Sequence, residues 1–142
     1  MKVVYKCQAI YRYADSEIIG RGEEYLRRGA VHALRRQGNT LQASVEGSDF
    51  EPYRVLITRD ENGDWEADCT CPYEWGGWCK HIVATALAYL RDPKTIEEHP
   101  RLDVLLASME AEELRALICT LAERNLDWTI EIEAEIARRQ RI

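Results

Sequence analysis

Residues 69–81 of this chain read CTCPYEWGGWCKH, and the spacing of their cysteines and histidine decides how the rest of the sequence is interpreted. The spacing is C-x-C, a seven-residue loop, then C-x-H. Thiolates with one neutral imidazole favour zinc over calcium or magnesium, and four such ligands complete a tetrahedron. We therefore predict one structural Zn²⁺ ion, with no coordination position open for a reacting water. The expected ligands are Cys69, Cys71, Cys79 and His81.

The same spacing predicts the backbone on each side of the loop. Residues i and i+2 of a strand point to the same face, so Cys69 and Cys71 can bind one ion from an extended segment. On a regular helix these positions diverge, so we expect Cys79 just before a helix and His81 in its first turn. The positive end of that helix dipole, together with Lys80, would offset the negative charge of three thiolates.

Two other interpretations of the cysteines remain open. The motif thiols could be free buried cysteines beside a surface histidine, or its first two cysteines could form a redox pair. Four ligand-type residues between a strand pattern and a helix pattern favour zinc over both. The chain has five cysteines, an odd number that suits a closed disulfide framework poorly. Cys7 and Cys119 lie far from the motif in apolar helical contexts, and we expect both to be small core residues.

The sequence around the motif predicts an α+β fold. A helical pattern over about residues 6–29 is broken near Asp15 and Ser16, either of which can cap the N-terminal helix that follows. Period-two alternation between turn residues then predicts an antiparallel β-meander of three or four strands. The expected strands are 31–36, 41–46, 53–59 and 65–68.

More helices are expected after the motif. Residues 80–90 are apolar and lack Gly and Pro, which predicts a buried helix. Residues 110–124 and 126–139 predict a C-terminal helical hairpin, and the sequence leaves open whether it packs on its own domain, dimerises or docks to a larger enzyme. The expected division is a zinc-binding domain at 1–92, a linker at 93–100 and the hairpin at 101–142.

The charge of the chain limits its possible partners. A formal net charge of −6 argues against binding nucleic acid over the whole surface, so a nucleic-acid site must be local. We find no secretory signal pattern and no apolar run near the roughly 20 residues of a membrane-spanning helix. We therefore expect a cytoplasmic protein with no membrane partner and no small-molecule substrate.

Basic residues are concentrated in and after the first predicted helix. They suit contacts with phosphates, although a solvated face that balances a helix dipole has the same pattern. Arg35 and Arg36 are adjacent on a predicted strand, so we expect them on opposite faces. Trp75 and Trp78 flank the double glycine of the motif and can either stack on bases or cover the metal site. The candidate binding residues for a nucleic acid or another partner are Arg21, Arg27, Arg28, Arg35, Arg36, Lys80, Trp75 and Trp78.

The metal motif resembles the SWIM zinc finger. The resemblance rests on C-x-C-x7-C-x-H, on Pro72 after the second cysteine and on the Cys-Lys-His start of an apolar helix. The segment RGEEYLRRG at 21–29 and the strands that follow it are also similar to bacterial SWIM-containing proteins. The resemblance covers about residues 13–90. It implies a zinc-bound β-β-α finger. It also implies a family whose proposed work is binding DNA or protein, and which occurs beside Swi/Snf-type helicases and in transposase-related proteins.

Three functions are consistent with these patterns to different degrees. The leading hypothesis is a non-enzymatic, zinc-stabilised module that binds DNA directly or works within a DNA-processing assembly, with a Swi/Snf-type helicase as a candidate partner. The alternative is a pure protein-interaction adaptor, which the acidic charge favours. An enzyme is not expected, because we recognise no phosphate loop, Ser-His-Asp set or paired carboxylates.

Overall fold

The structure of the chain is a computed structural model that describes residues 9–73 and 76–141. The chain divides into two compact units, Met1–Pro100 and Arg101–Ile142. In the described ranges the chain is α+β, with five α-helices and one mixed sheet of five strands. None of the described helices combines the length and the apolar character that crossing a membrane requires.

The first unit contains two α-helices and all five strands. Helix α1 is Ser16–Arg27 and helix α2 is Lys80–Arg91. The strands are β1 Val31–Gln37, β2 Thr40–Val45, β3 Tyr53–Arg59, β4 Trp65–Cys69 and β5 Glu97–His99. Short 3-10 turns lie at Ala9–Arg12 and Pro93–Thr95.

The sheet order is β4-β3-β2-β1-β5. Strands β1 to β4 are antiparallel neighbours, as the alternation of the sequence predicts, and their bounds differ from the expected ones by one residue at most. Strand β5 pairs in parallel with β1. The sheet is therefore a four-stranded meander with one parallel strand added at its edge.

Helix α1 begins where a capping residue is expected. The side chain of Asp15 accepts a hydrogen bond from the main-chain N–H of Ile18 at 2.9 Å, which satisfies one of the free donors at the helix start. The helix ends before Gly29, whose φ of +73° is a left-handed conformation that suits glycine. The predicted helical pattern starts at about residue 6, but residues 6–8 lie outside the described residues. The same holds for Cys7, which is predicted to be a core residue.

Helix α2 packs against one face of the sheet, and helix α1 packs on α2. The residues of that face alternate along β2 and β3, with Leu41, Val45, Val55 and Ile57 buried. Helix α2 is buried along nearly its whole length, including Val83 and Leu87 at 2 % exposure or less. This core holds the start of α2 against the meander, and both elements carry residues of the predicted metal site.

The segment at 93–100 differs from the predicted linker. Ile96 is buried, and Glu97–His99 form β5 along residues 35–37 of β1. The side-chain amide of Gln37 also donates to the carbonyl oxygen of Pro100 at 2.9 Å. A strand with the sequence Glu-Glu-His has no apolar alternation, so its pairing depends on the neighbouring strand and is not visible in the local pattern.

The second unit contains three helices. Helix α3 is Leu102–Leu106, α4 is Ala111–Arg124 and α5 is Leu126–Gln140. Helices α4 and α5 occupy the two stretches predicted to be helical and contact each other, whereas α3 was not predicted. The side chain of Asn125 between them accepts from the N–H of Asp127 at 3.0 Å and so caps α5. The prediction that Cys119 is a core residue is wrong, because Cys119 is exposed on α4.

Candidate metal centre

The four predicted ligands come together at the junction of β4 and α2. Cys69 is the last residue of β4, and Cys71 lies two residues further along the chain. Cys79 is the N-cap of α2, with an extended backbone at φ −81° and ψ 170°, and His81 lies in the first turn. One ligand atom from each of the four residues lies within 4.8 Å of all the others. The local geometry is the one expected from the C-x-C and C-x-H spacings.

The distances suit a tetrahedral zinc ion. The Sγ atoms of Cys69 and Cys79 each lie 3.7 Å from Nδ1 of His81. Zinc binds sulfur at about 2.3 Å and imidazole nitrogen at about 2.0–2.1 Å, which places sulfur and nitrogen roughly 3.6 Å apart in a tetrahedron. Nδ1 is therefore the coordinating nitrogen of His81. The cluster is consistent with one structural zinc ion held by three thiolates and one imidazole.

The three thiols influence one another strongly. The pKa of Cys69 is raised, first by its hydrogen bond with Cys79 and then by burial, and burial also raises the pKa of Cys71. The pKa of Cys79 is lowered, first because this sulfur accepts the hydrogen bond from Cys69. The cluster thus favours one thiolate and two protonated thiols, unless a cation compensates the charge. A divalent ion supplies that compensation, which is the electrostatic reason that this donor set fits zinc.

Main-chain amides donate to each sulfur. The N–H groups of Cys71, Tyr73 and Ile82 donate to the sulfurs of Cys69, Cys71 and Cys79 in turn. Such outer contacts orient the ligands and spread their negative charge. Helix α2 therefore contributes both a thiolate at its N-cap and an amide that stabilises that thiolate.

The double glycine makes the turn of the motif loop. Gly76 and Gly77 have φ values of +83° and +70°, which are left-handed conformations that suit glycine. The following residue, Trp78, donates its N–H to the carbonyl oxygen of Tyr13 at 2.9 Å. A Cβ on Gly77 would lie 2.7 Å from that same oxygen. The glycines therefore allow the loop to dock on the segment that precedes α1.

Trp78 is a core residue, which corrects its prediction as a binding residue. Its side chain is 6 % exposed. Its ring stacks on Tyr13, with centroids 4.4 Å apart, and on Trp65 at 5.8 Å. A ring this buried cannot stack on a base, so of the two interpretations of Trp78 the structure supports a buried packing role. The other tryptophan of the loop, Trp75, lies outside the described residues.

Two residues with no metal-site signal in the sequence, Tyr53 and Gly47, lie beside the imidazole of His81. The ring of Tyr53 packs against it, and Nε2 of His81 is buried with no hydrogen-bond partner in the described part of the chain. A Cβ on Gly47 would collide with the Tyr53 ring and lie 3.2 Å from that Nε2. The sequence around Gly47 indicates only a Gly-Ser-Asp turn. The close approach of Gly47 to the metal ligand His81 therefore has no local sequence signal.

The predicted basic residues occupy different environments. Arg21 pairs with Glu17 on the same helix, with 2.9 Å between nitrogen and oxygen. Arg27 is exposed at the end of α1. Arg36 donates to the carbonyl oxygen of Gly38, and its guanidinium lies 3.9 Å from Glu98.

Arg28 and Lys80 each form a cation–π contact with the same aromatic ring. Their charged groups lie 4.3 Å and 4.9 Å from the ring centroid of Tyr25. The same ring packs against the ligand His81, with ring centroids 5.2 Å apart. We call Arg28, Lys80 and Tyr25 the basic cluster.

Arg35 lies on the opposite side of the sheet from Arg36, as predicted. In the register of β1 and β2, Arg35 lies opposite Gln42, and Arg36 lies opposite Leu41, whose side chain is in the core. A β-bulge at Ala33, with φ of +52°, precedes this pairing. The open face of the sheet there forms a groove of about 610 Å³ that Arg35 and Arg54 both line. Arg54 was not among the predicted residues.

Comparisons with known proteins match the metal site to one family. Residues 53–90 match the family of SWIM zinc fingers. The match includes β3, β4, the motif loop and nearly all of α2, and therefore contains all four ligands. No curated protein and no solved structure gave a match to the chain.

Proposed function

Because the chain carries a SWIM zinc finger, a structural and not a catalytic module, we propose that it is a non-enzymatic binding module whose target is DNA. The zinc ion has no catalytic part in this proposal. It holds the end of β4 to the start of α2, and so it positions the side chains at that end of α2 for a partner. The surface beside the metal site binds the DNA.

The basic cluster is the observation that carries the proposal. Arg28 and Lys80 are two cations over one ring, and neither has an ion pair with any residue that the structure describes. The ring attracts each cation, but two cations in one region without an ion-pair partner among the described residues favour an external anion. Lys80 lies between the ligands Cys79 and His81 in the sequence, so zinc binding fixes its position.

A local cluster reconciles DNA binding with an acidic chain. At a net charge of −6, long-range attraction to DNA is absent, so contacts must form at short range. With the exposed Arg27 beside it, the cluster can contact roughly three phosphates, for which the slope of log K against log salt is about −2 to −3. We expect weak, strongly salt-dependent binding.

Fluorescence anisotropy with a labelled DNA duplex tests the proposal. Arg28→Ala and Lys80→Ala should weaken the affinity of the zinc-loaded chain, and each should reduce the salt slope by about 1. Arg21→Ala is the matched control, because it removes the same charge from a residue paired with Glu17. Zinc content is measured on every variant. Absence of binding at about 50 mM salt, or equal losses in all three variants, would overturn the proposal.

A second candidate function is an adaptor that binds only protein within a DNA-processing complex, for example with a Swi/Snf-type helicase. It is supported by the second unit, where large apolar side chains are exposed on α4 and α5. A chain that fails to bind DNA at low salt but binds a helicase fragment, in a manner that depends on the second unit, would favour this candidate.

A further inference from the structure

The second unit has an unusual distribution of apolar side chains. None of its described residues is buried. Eight of the eleven large apolar side chains that are exposed in the described chain belong to it. They are Leu102, Val104, Leu105, Ile118, Leu126, Trp128, Ile130 and Ile136.

Such a unit lacks the layers that stabilise a helical fold. Two contacting helices form a single layer, and helices ordinarily bury their apolar stripe against a second layer. Ordering each residue costs about 1–2 kcal/mol of backbone entropy, and a unit of this size buries too little surface to offset that cost alone. A second surface is therefore needed to cover the exposed side chains.

Helix α5 presents an apolar stripe that suits a helix partner. Leu126 and Ile130 are 81 % and 63 % exposed, and Ala134 and Ala137 continue the same face at i+8 and i+11, with the exposed Glu133 beside them at i+7. Small alanines near the middle of the stripe allow another helix to approach closely. The stripe has large side chains in its first half and small side chains from its middle onward, which suits an antiparallel arrangement of two equal stripes.

The charges beside the stripe identify the partner. Asp127 and Glu131 lie along its first half, and Arg138 and Arg141 lie along its second half, all of them exposed. Arg138 also forms an ion pair with Glu135 of its own helix, with 3.0 Å between nitrogen and oxygen, and would exchange this exposed contact for one with the second copy. A helix that is acidic at one end and basic at the other is complementary to an antiparallel copy of itself. In a pair centred near Ala134, Glu131 of one chain faces Arg138 of the other.

We propose that the second unit is a homodimerisation element, in which α5 pairs antiparallel with α5 of a second copy of this chain. The pairing places Ile130 of each helix against the second half of the other and brings the two α4–α5 layers together. It also presents two zinc modules to one partner, which raises avidity for a repeated or extended ligand. This proposal does not depend on what the zinc module binds.

Sedimentation equilibrium of the zinc-loaded full chain tests the pairing by charge exchange. Glu131→Arg places like charges opposite each other and should raise the dimer Kd by about tenfold or more. The double variant Glu131→Arg, Arg138→Glu restores opposite charges and should return the Kd to within about threefold of the parent. Glu123→Arg on α4 makes the same charge change away from the stripe and serves as the control.

A second variant separates loss of pairing from loss of folding. Ile130→Glu places a carboxylate in the stripe and should give a monomer, and helix content is followed by circular dichroism as the dimer dissociates. A parent chain that stays monomeric at high micromolar concentration with full helix content would overturn the proposal. So would a dimer whose Kd is unchanged by Ile130→Glu, or a double variant that pairs no better than Glu131→Arg alone.

Discussion

The ring of Tyr53 lies against the imidazole of His81, with centroids 4.6 Å apart and planes tilted by 37°. Tyr53 is the first residue of β3, and His81 lies in the first turn of α2, so this contact joins the meander to a metal ligand. Gly47 lies against both rings and has no room for a side chain. The position of the imidazole is therefore set by packing as well as by the metal.

We predict that Gly47→Ala lowers both stability and zinc affinity. The new Cβ displaces Tyr53, and overpacking of this kind costs about 1–3 kcal/mol. Thermal unfolding and competition with a chromophoric zinc chelator measure the two effects. Gly20→Ala is the matched control, because no atom beyond its chain neighbours and its own helix backbone lies within 4 Å of a Cβ at that exposed site. An equal response of both variants would contradict the packing argument.

We predict that Cys71→Ser and His81→Ala lose zinc and destabilise the finger. Binding of structural zinc contributes on the order of 10 kcal/mol to folding in small peptides, so loss of one ligand should lower the melting temperature markedly. Elemental analysis and calorimetry measure zinc content and stability. Cys119→Ser replaces an exposed cysteine outside the cluster and should change neither. A Cys71→Ser protein with full zinc content would refute the assignment.

We predict that acidification releases zinc and that stability rises with pH. The zinc-bound state needs three ionised thiols, whereas unfolded cysteines keep their protons up to a pKa of about 8.5. The unfolded state therefore binds more protons. The lowered pKa of Cys79 acts in the same direction, because its contribution is present above the ordinary cysteine pKa and is lost as pH falls through the lowered value. Zinc release that increases toward alkaline pH would contradict this.

We predict that Trp78→Ala costs about 3–5 kcal/mol of stability, because it removes a large ring from between Tyr13 and Trp65. Trp78→Phe keeps a stacked ring and should recover much of that loss. Chemical denaturation measures both variants. If Trp78→Ala were as stable as the parent protein and weakened only DNA binding, the ring would be a ligand contact and not part of the core.

Much of the fold was predictable because its signals are local. The alternation of Tyr53, Val55 and Ile57 defines β3, and Asp15 marks the start of α1 through a hydrogen bond within one turn. Strand β5 has no signal in the sequence, and the sequence leaves open whether Trp78 is buried or binds a partner. Both depend on partners distant in the sequence, namely β1 for the strand and Tyr13 with Trp65 for the ring.

The metal ligands were determined by the sequence alone, because C-x-C and C-x-H spacings place donor atoms through the geometry of a strand and of a helix start. Their surroundings were decided only by the tertiary structure. Gly47 and Tyr53 reach His81, and Arg28 reaches Tyr25 beside Lys80, through the packing of separate elements. The ligands of the ion could be predicted from thirteen consecutive residues, because their spacing is local. The shape and charge around the ion could not be predicted, because packing brings together residues that share no local pattern.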